Sequence, residues 1–313
     1  MNVPLVLAAL LGGLATLPAG STAKGAKPDW IGQGLGTAAL AALVFALIEG
    51  GKGGFSSAPV VAGVAVALVA FIGFVAVERR LSRAAADDRT GAAVGTRRGS
   101  ASSAPRPLLD LSWFRRAEFC GANAGAGLMN LGTLGGLFAL GLFLQQGEGL
   151  SPLEAGLALV PLALPLAALT PFTGRLVGCV GPRLPAGLGL TASGVGYLGT
   201  ALVGAPSIDS PIGWAFLAVA GAGMGVAVPG LVAGATEALG PDRAGIASAV
   251  NNTSRQVGGA IGVALIGGIS SITTSLALSA AALLLGGILA LMGVERNSVI
   301  DRVRLHGHPT VGA

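Results

Sequence analysis

The stretch "NNTSRQVGG" (251–259) lies within "AGIASAVNNTSRQVGGAIGVALIGGIS", a run with no other charge. Arginine brings a permanent charge on a planar fork of donors. Asparagine and glutamine each bring two donors and an acceptor. Such groups hold polar ligands or form hydrogen-bond networks that can rearrange; they are not nucleophiles. Read as a helix, the run puts Ser248, Asn252, Arg255, Gly259 and Gly262 on one small and polar face. Asn251 and Gln256 flank it, and Val250, Val257, Ile261 and Ala264 form another face. A second, weaker polar helix carries Asn123 and Asn130, seven apart and so on one face, with Gln145 and Gln146 at its far end.

The other reactive residue types form no constellation. There is no Walker A sequence and no G-x-S-x-G elbow. His306 and His308 stand in the tail without the further ligands a metal needs, and Cys120 and Cys179 lack metal-like spacing. No catalytic residue, metal or cofactor is therefore expected, and the chain does not read as an enzyme.

What positions the polar residues follows from composition. Of 313 residues, 52% are hydrophobic and 11% charged, against about 25% charged in a soluble domain. Fifty-three glycines without a collagen period fit closely packed membrane helices. The fold class is all-α integral membrane. Spanning takes about 20 apolar residues, which predicts nine helices: 3–19, 31–49, 58–77, 119–145, 153–174, 185–204, 212–234, 246–269 and 273–294. The helix 153–174 contains Pro161, Pro165 and Pro171, and 212–234 contains "GAGMGVAVPG"; both are bendable.

Alternating these spans puts 17 of the 19 basic residues on one side, Lys52 on the other and Arg255 inside the membrane. By the positive-inside rule the basic side is cytoplasmic, and so is the C-terminus. The bias also accounts for the net charge of +5 without nucleic acid. Trp30, Trp113 and Trp214 fall near helix ends, as interfacial belts favour. Residues 78–118 read as a disordered cytoplasmic linker ending in a short docking segment, "PLLDLSWFRR". Arg255 falls about 14 Å into its helix, near mid-membrane, where an arginine usually faces a cavity or a bundle interior. Snorkelling to the surface is the alternative.

Two long motifs now identify a resemblance. "FLQQGEGLSPLEAGLALVPLALPLAALTPFTGRLVGCVGPR" (143–183) and "GPDRAGIASAVNNTSRQVGGAIGVALIG" (240–267) resemble the fourteen-helix drug/proton antiporters of the major facilitator superfamily. So does "PLLDLSWFRRAEF", which is similar to the approach to that family's ninth helix. The resemblance implies a facilitator-type helical bundle. Residues 1–19 then look like the last helix of an N-terminal transporter domain, and 20–77 like two extra linking helices. Residues 78–118 stay a linker. Residues 119–294 look like a complete C-terminal six-helix domain of two inverted three-helix repeats, and 295–313 like a cytoplasmic tail. The N-terminal domain is largely missing from this register, together with the proton-coupling acid and antiporter motif expected there.

The implied function is proton-coupled efflux of drug-like amphipathic compounds by alternating access across the plasma membrane. The energy source is the proton gradient. The partners are the bilayer, small lipophilic or cationic substrates, and the missing N-terminal domain or another membrane chain. Arg255, Asn251, Asn252, Gln256, Asn123 and Asn130 are the expected pathway or coupling residues. Gly174, Arg175, Gly178, Gly181 and Arg183 resemble the second-half gating loop, though the family has an acid where this chain has Gly178 and often a base at Cys179. A non-transporting fragment or accessory membrane subunit is the rival reading.

Overall fold

The computed structural model describes residues 29–54, 56–93, 109–204 and 210–293, plus helical positions 6, 7, 10 and 12; for 51–53 and 85–93 it describes the backbone alone. Among these residues every regular element is helical. Nine α-helices run in order: α1 (Trp30–Gly53), α2 (Ala58–Ala93), α3 (Ala117–Leu142), α4 (Pro152–Ala158), α5 (Val160–Val180), α6 (Arg183–Val203), α7 (Pro211–Leu239), α8 (Ala244–Leu265) and α9 (Ile272–Gly293). Seven are long and apolar enough to cross a membrane: all but α4 and α8. The chain is a multi-pass membrane protein.

Nine spanning helices are expected, and seven qualify among the described residues. The helix expected at 3–19 lies almost wholly outside the described residues. The segment expected as one helix, 153–174, is instead two. Ser151 starts α4 with a capping box: its hydroxyl accepts the Glu154 N–H, and the Glu154 side chain accepts the Ser151 N–H at 2.9 Å. The Ser151 hydroxyl and backbone N–H together hold the Glu154 carboxyl below its ordinary range. Pro161 has no N–H, and its ring would meet the carbonyl four residues back. The chain therefore turns at Leu159 and restarts as α5, which absorbs Pro165 and Pro171. A second difference concerns the linker. Helix α2 does not stop near residue 77 but runs on to Ala93, so the first part of the segment read as disordered is helical. Residues 94–108 lie outside the described set.

Two compact units are distinguished, residues 1–34 with 74–110, and residues 35–73 with 111–313. In the first, Asp29 caps α1, its carboxylate accepting the Gly32 N–H at 2.9 Å, and the buried Glu78 accepts the Leu109 N–H at 3.2 Å. The second holds the rest of α1 and α2 and the whole of α3 to α9.

Within the second unit the long helices from α3 onward alternate in direction. Residues in contact rise together along α3 and α8, and along α5 and α7, so those pairs are parallel. Contacts run in opposite senses for α6 with α7, α3 with α9 and α6 with α9. The pattern has an internal symmetry. Helix α3 packs on α8 and α9 as α7 packs on α5 and α6. Two three-helix repeats, α3–α5–α6 and α7–α8–α9, are thereby interlocked, as the inverted repeats of transporters are.

Small residues permit this. A Cβ on Gly223 would lie 2.5 Å from the Ser193 nitrogen, and one on Gly121 would lie 2.8 Å from the Gly293 Cα. In a bilayer, such close approach supplies the dispersion contact that the hydrophobic effect does not. Hydroxyls add interhelical bonds: Thr173 to the Gly225 carbonyl at 3.1 Å, and Ser193 to the Ala220 carbonyl at 3.0 Å.

The segment before α3 docks as expected, as a 3-10 turn over Leu111–Arg115. Its tryptophan, however, is no exposed belt residue. Trp113 is buried, edge-on to Phe119 at 6.5 Å between ring centroids. The Arg243 guanidinium lies 5.4 Å from the Trp113 ring centroid, and Arg116 donates to the Ala238 carbonyl at 2.7 Å. Trp30 and Trp214 are exposed, as belts require.

Candidate substrate pathway

Helix α8 is 22 residues long, about 33 Å, and so could span. It fails to qualify as apolar enough because of its sequence in the middle. Arg255 is its twelfth residue, about 16 Å from its start.

The structure divides the polar residues of α8 into two groups. The buried face is Ala247, Asn251, Gly258, Gly259 and Gly262, and it lies on α3. A Cβ on Gly258 would fall on the Gly127 carbonyl, and one on Gly262 would fall on the Leu131 carbonyl. Asn251 is fully buried in this seam and donates from Nδ2 to the Ala122 carbonyl at 3.4 Å. Asn123 is also buried, and its Nδ2 donates to the Phe119 carbonyl at 2.7 Å. The Oδ1 atoms of both asparagines are buried without a hydrogen-bond partner. Asn130 is buried two turns further along α3, with Nδ2 3.7 Å from where a Gly259 Cβ would stand.

The second group looks away. Asn252, Thr253 and Gln256 are exposed, and so are Gly245 and Ala249 on the same side. The expected face of Ser248, Asn252, Arg255, Gly259 and Gly262 is thus divided, with Gly259 and Gly262 buried and Asn252 exposed. Asn251 belongs with Asn123 and Asn130 in the α3–α8 seam, while Asn252 and Gln256 form an open face. The physical reason is helical phase. The glycines decide which side α3 can approach, and they are in phase with Asn251. Thr253, which sequence reasoning left out, lies on the open side.

Arg255 stands between the two groups, half-buried. Its Nε is buried and has no hydrogen-bond partner. The described acids of this unit that follow the linker, Glu118, Glu148, Glu154, Glu237 and Asp242, all lie at helix ends or in the turns between helices.

The residues expected at a gating loop lie at two helix ends and in the short turn between them. Gly174, Arg175 and Gly178 are in the last turns of α5, and Arg183 starts α6. Only Gly181 and Pro182 lie between the helices. Gly181 has φ +78°, a conformation glycine adopts freely. Gly174 and Gly178 have open space where a Cβ would go.

An interlocked pair of three-helix repeats, with a polar face left open at mid-span, is the arrangement of one half of a transporter. Comparison with known proteins decides which. The chain matches the Major Facilitator Superfamily over residues 29–263 and again over 124–302.

The chain belongs to the major facilitator superfamily.

Relatives of this facilitator include a methylenomycin A resistance protein of Streptomyces coelicolor, 30% identical over 73% of this chain and 43% of that protein. A probable actinorhodin transporter of the same organism is 31% identical over 85% of this chain and 43% of that protein. The multidrug resistance protein Stp of Mycobacterium tuberculosis is 28% identical over 86% and 45% respectively. The facilitator chain thus spans a little under half the length of these curated relatives. These relatives are named as resistance proteins and a transporter, and membership in a transporter family means that the chain is not an enzyme.

Proposed function

We propose that this facilitator chain supplies one wall of a pathway that exports small amphipathic molecules, driven by the proton gradient through alternating access in the plasma membrane. One observation carries the reading. Helix α8 is membrane-length, yet it leaves Asn252, Thr253 and Gln256 exposed near its middle. Lipid is a poor environment for such groups, which in membrane proteins line water-filled cavities or face protein. The names of the relatives, which include resistance and export proteins, support efflux of antibiotic-like cargo. The basic-residue bias supports a cytoplasmic C-terminus.

The opposite wall comes from a facing domain outside these 313 residues. Support for this is the share of the relatives that the chain spans, together with the open face of α8. The seam of Asn123, Asn130 and Asn251 holds α3 to α8.

Everted membrane vesicles test this. They would carry the chain alone, or the chain fused to the N-terminal half of the actinorhodin transporter relative. Uptake of a fluorescent amphiphile is expected only with the fusion, and a protonophore should abolish it. Uptake by the chain alone would contradict the need for a facing domain. Uptake by neither would favour the accessory, non-transporting reading.

A further inference from the structure

Arg255 is the one charged residue within the middle turns of α3 and α5 to α9, the long helices of the interlocked repeats. Among the described residues it has no carboxylate partner. The Nε is buried without a partner, while the residue as a whole is only half-buried. The described acids that precede the middle of α8 and of its neighbour α3 are far along the axis. Asp242 precedes Arg255 by thirteen residues, about 20 Å at the helical rise. Glu118 is on the parallel helix α3, nine residues before Gly127, the residue that meets α8 at Ser254 and Gly258. That is about 14 Å along the axis. The open face of the same helix turns offers Asn252 and Gln256, which are neutral donors and acceptors.

An unpaired guanidinium in a low-dielectric site attracts a carboxylate-like group, and its planar fork matches two oxygens at once. It repels an ammonium. A cationic amphiphile would meet like charge here, and no carboxylate of this face would receive it.

Resting on the pathway reading above, we propose that this face selects cargo with a negative charge on an apolar or aromatic skeleton: a carboxylate, sulfonate or ionised phenol. Arg255 holds the anionic oxygens, and Asn252 and Gln256 bind the neutral polar groups beside them. The cationic substrates expected from the resemblance are the class this face disfavours.

Two probes with one fluorophore separate the cases: dansylglycine, which is anionic, and a dansyl amide bearing a trimethylammonium tail. Each is titrated into the full chain in phosphatidylcholine nanodiscs, a lipid with no net charge, against empty nanodiscs. Dansylglycine is expected to bind at least tenfold more tightly than the ammonium probe. Arg255→Gln should erase the difference and Arg255→Lys should keep part of it, lysine holding the charge without the fork. Lysine also guards against a folding artefact, because a misfolded variant would lose both probes together. Equal binding of both probes to the native chain, or preference for the ammonium, overturns the proposal. If Asn252→Ala and Gln256→Ala then weaken both probes alike, the pathway reading survives without the charge selection. If none of these variants changes binding of either probe, both fail.

Discussion

Gly127 on α3 and Gly258 on α8 bring two backbones into contact. The space where Gly258 would carry a Cβ is filled by the Gly127 carbonyl. The two helices are parallel here, and Gly262 repeats the contact one turn on against Leu131. No flexible side chain can yield, so the helices themselves must separate to admit a methyl group. Gly258→Ala is expected to destabilise the bundle by about 1–3 kcal/mol, the usual range for overpacking. Gly245→Ala, on the open side of α8 with free space around it, serves as control and should be neutral or slightly stabilising. Thermal unfolding of the two variants in the same detergent checks this.

The Trp113–Arg243 contact joins the segment before α3 to the turn between α7 and α8. Trp113→Ala should cost about 3–5 kcal/mol, as truncation of a buried large aromatic does. Arg243→Gln should cost only about 0.5–1 kcal/mol, the size of a partly exposed cation–π contact. The double variant should cost less than the sum of the two, because the contact is lost once. Additive costs in an unfolding cycle would mean that the arginine does not act through the ring.

Asn251 and Asn252 are neighbours in sequence with opposite surroundings. Asn251→Ala removes a long hydrogen bond and an unsatisfied buried oxygen together. Its stability change should stay within about 1 kcal/mol, since interhelical bonds in membranes average about 0.6. Asn252→Ala should leave unfolding unchanged and weaken ligand binding. A large loss of stability at Asn252 would place it in a packed interface instead.

The glycines of the α5–α6 connection should separate by conformation, not by motif. Gly181→Ala puts a side chain at φ 78° and ψ 169°, a region almost confined to glycine, and is expected to cost about 1–3 kcal/mol. Gly178→Ala lies inside α5 with nothing near its Cβ. It should stabilise by up to about 1 kcal/mol through helix propensity. Unfolding midpoints of the pair check it.

Much of this was legible before any coordinates. The run of apolar segments located the long helices because each must satisfy its own backbone in lipid. The motifs around Pro161 and Arg255 carried the family. What escaped was phase. Asn252 and Gln256 lie only about 100° and 140° around α8 from Asn251, and the sequence has no mark for which side α3 approaches. That side is set by Gly258 and Gly262 meeting Gly127 and Leu131, residues far away in the chain. Likewise, Pro161 signalled a bend, but whether the helix kinks or restarts depended on the capping box at Ser151 and Glu154, which makes the short α4 a stable start. Trp113 read as a membrane-surface residue because its partners, Phe119 and Arg243, meet it only after folding.

The central claim is that the open face of α8 lines an aqueous path, and thiol accessibility tests it most directly. Single cysteines replace Asn252, Gln256 and, as a lipid-facing control, Leu285 of α9, which is exposed on an apolar helix. The background carries Cys120→Ser and Cys179→Ser. Maleimides react with the thiolate, which forms in water and is suppressed in lipid. A charged, membrane-impermeant maleimide applied to everted vesicles and to right-side-out vesicles is expected to label positions 252 and 256 from at least one side and to spare position 285. If positions 252 and 256 are as unreactive as position 285 from both sides, the face meets lipid or packed protein, and the pathway account is wrong.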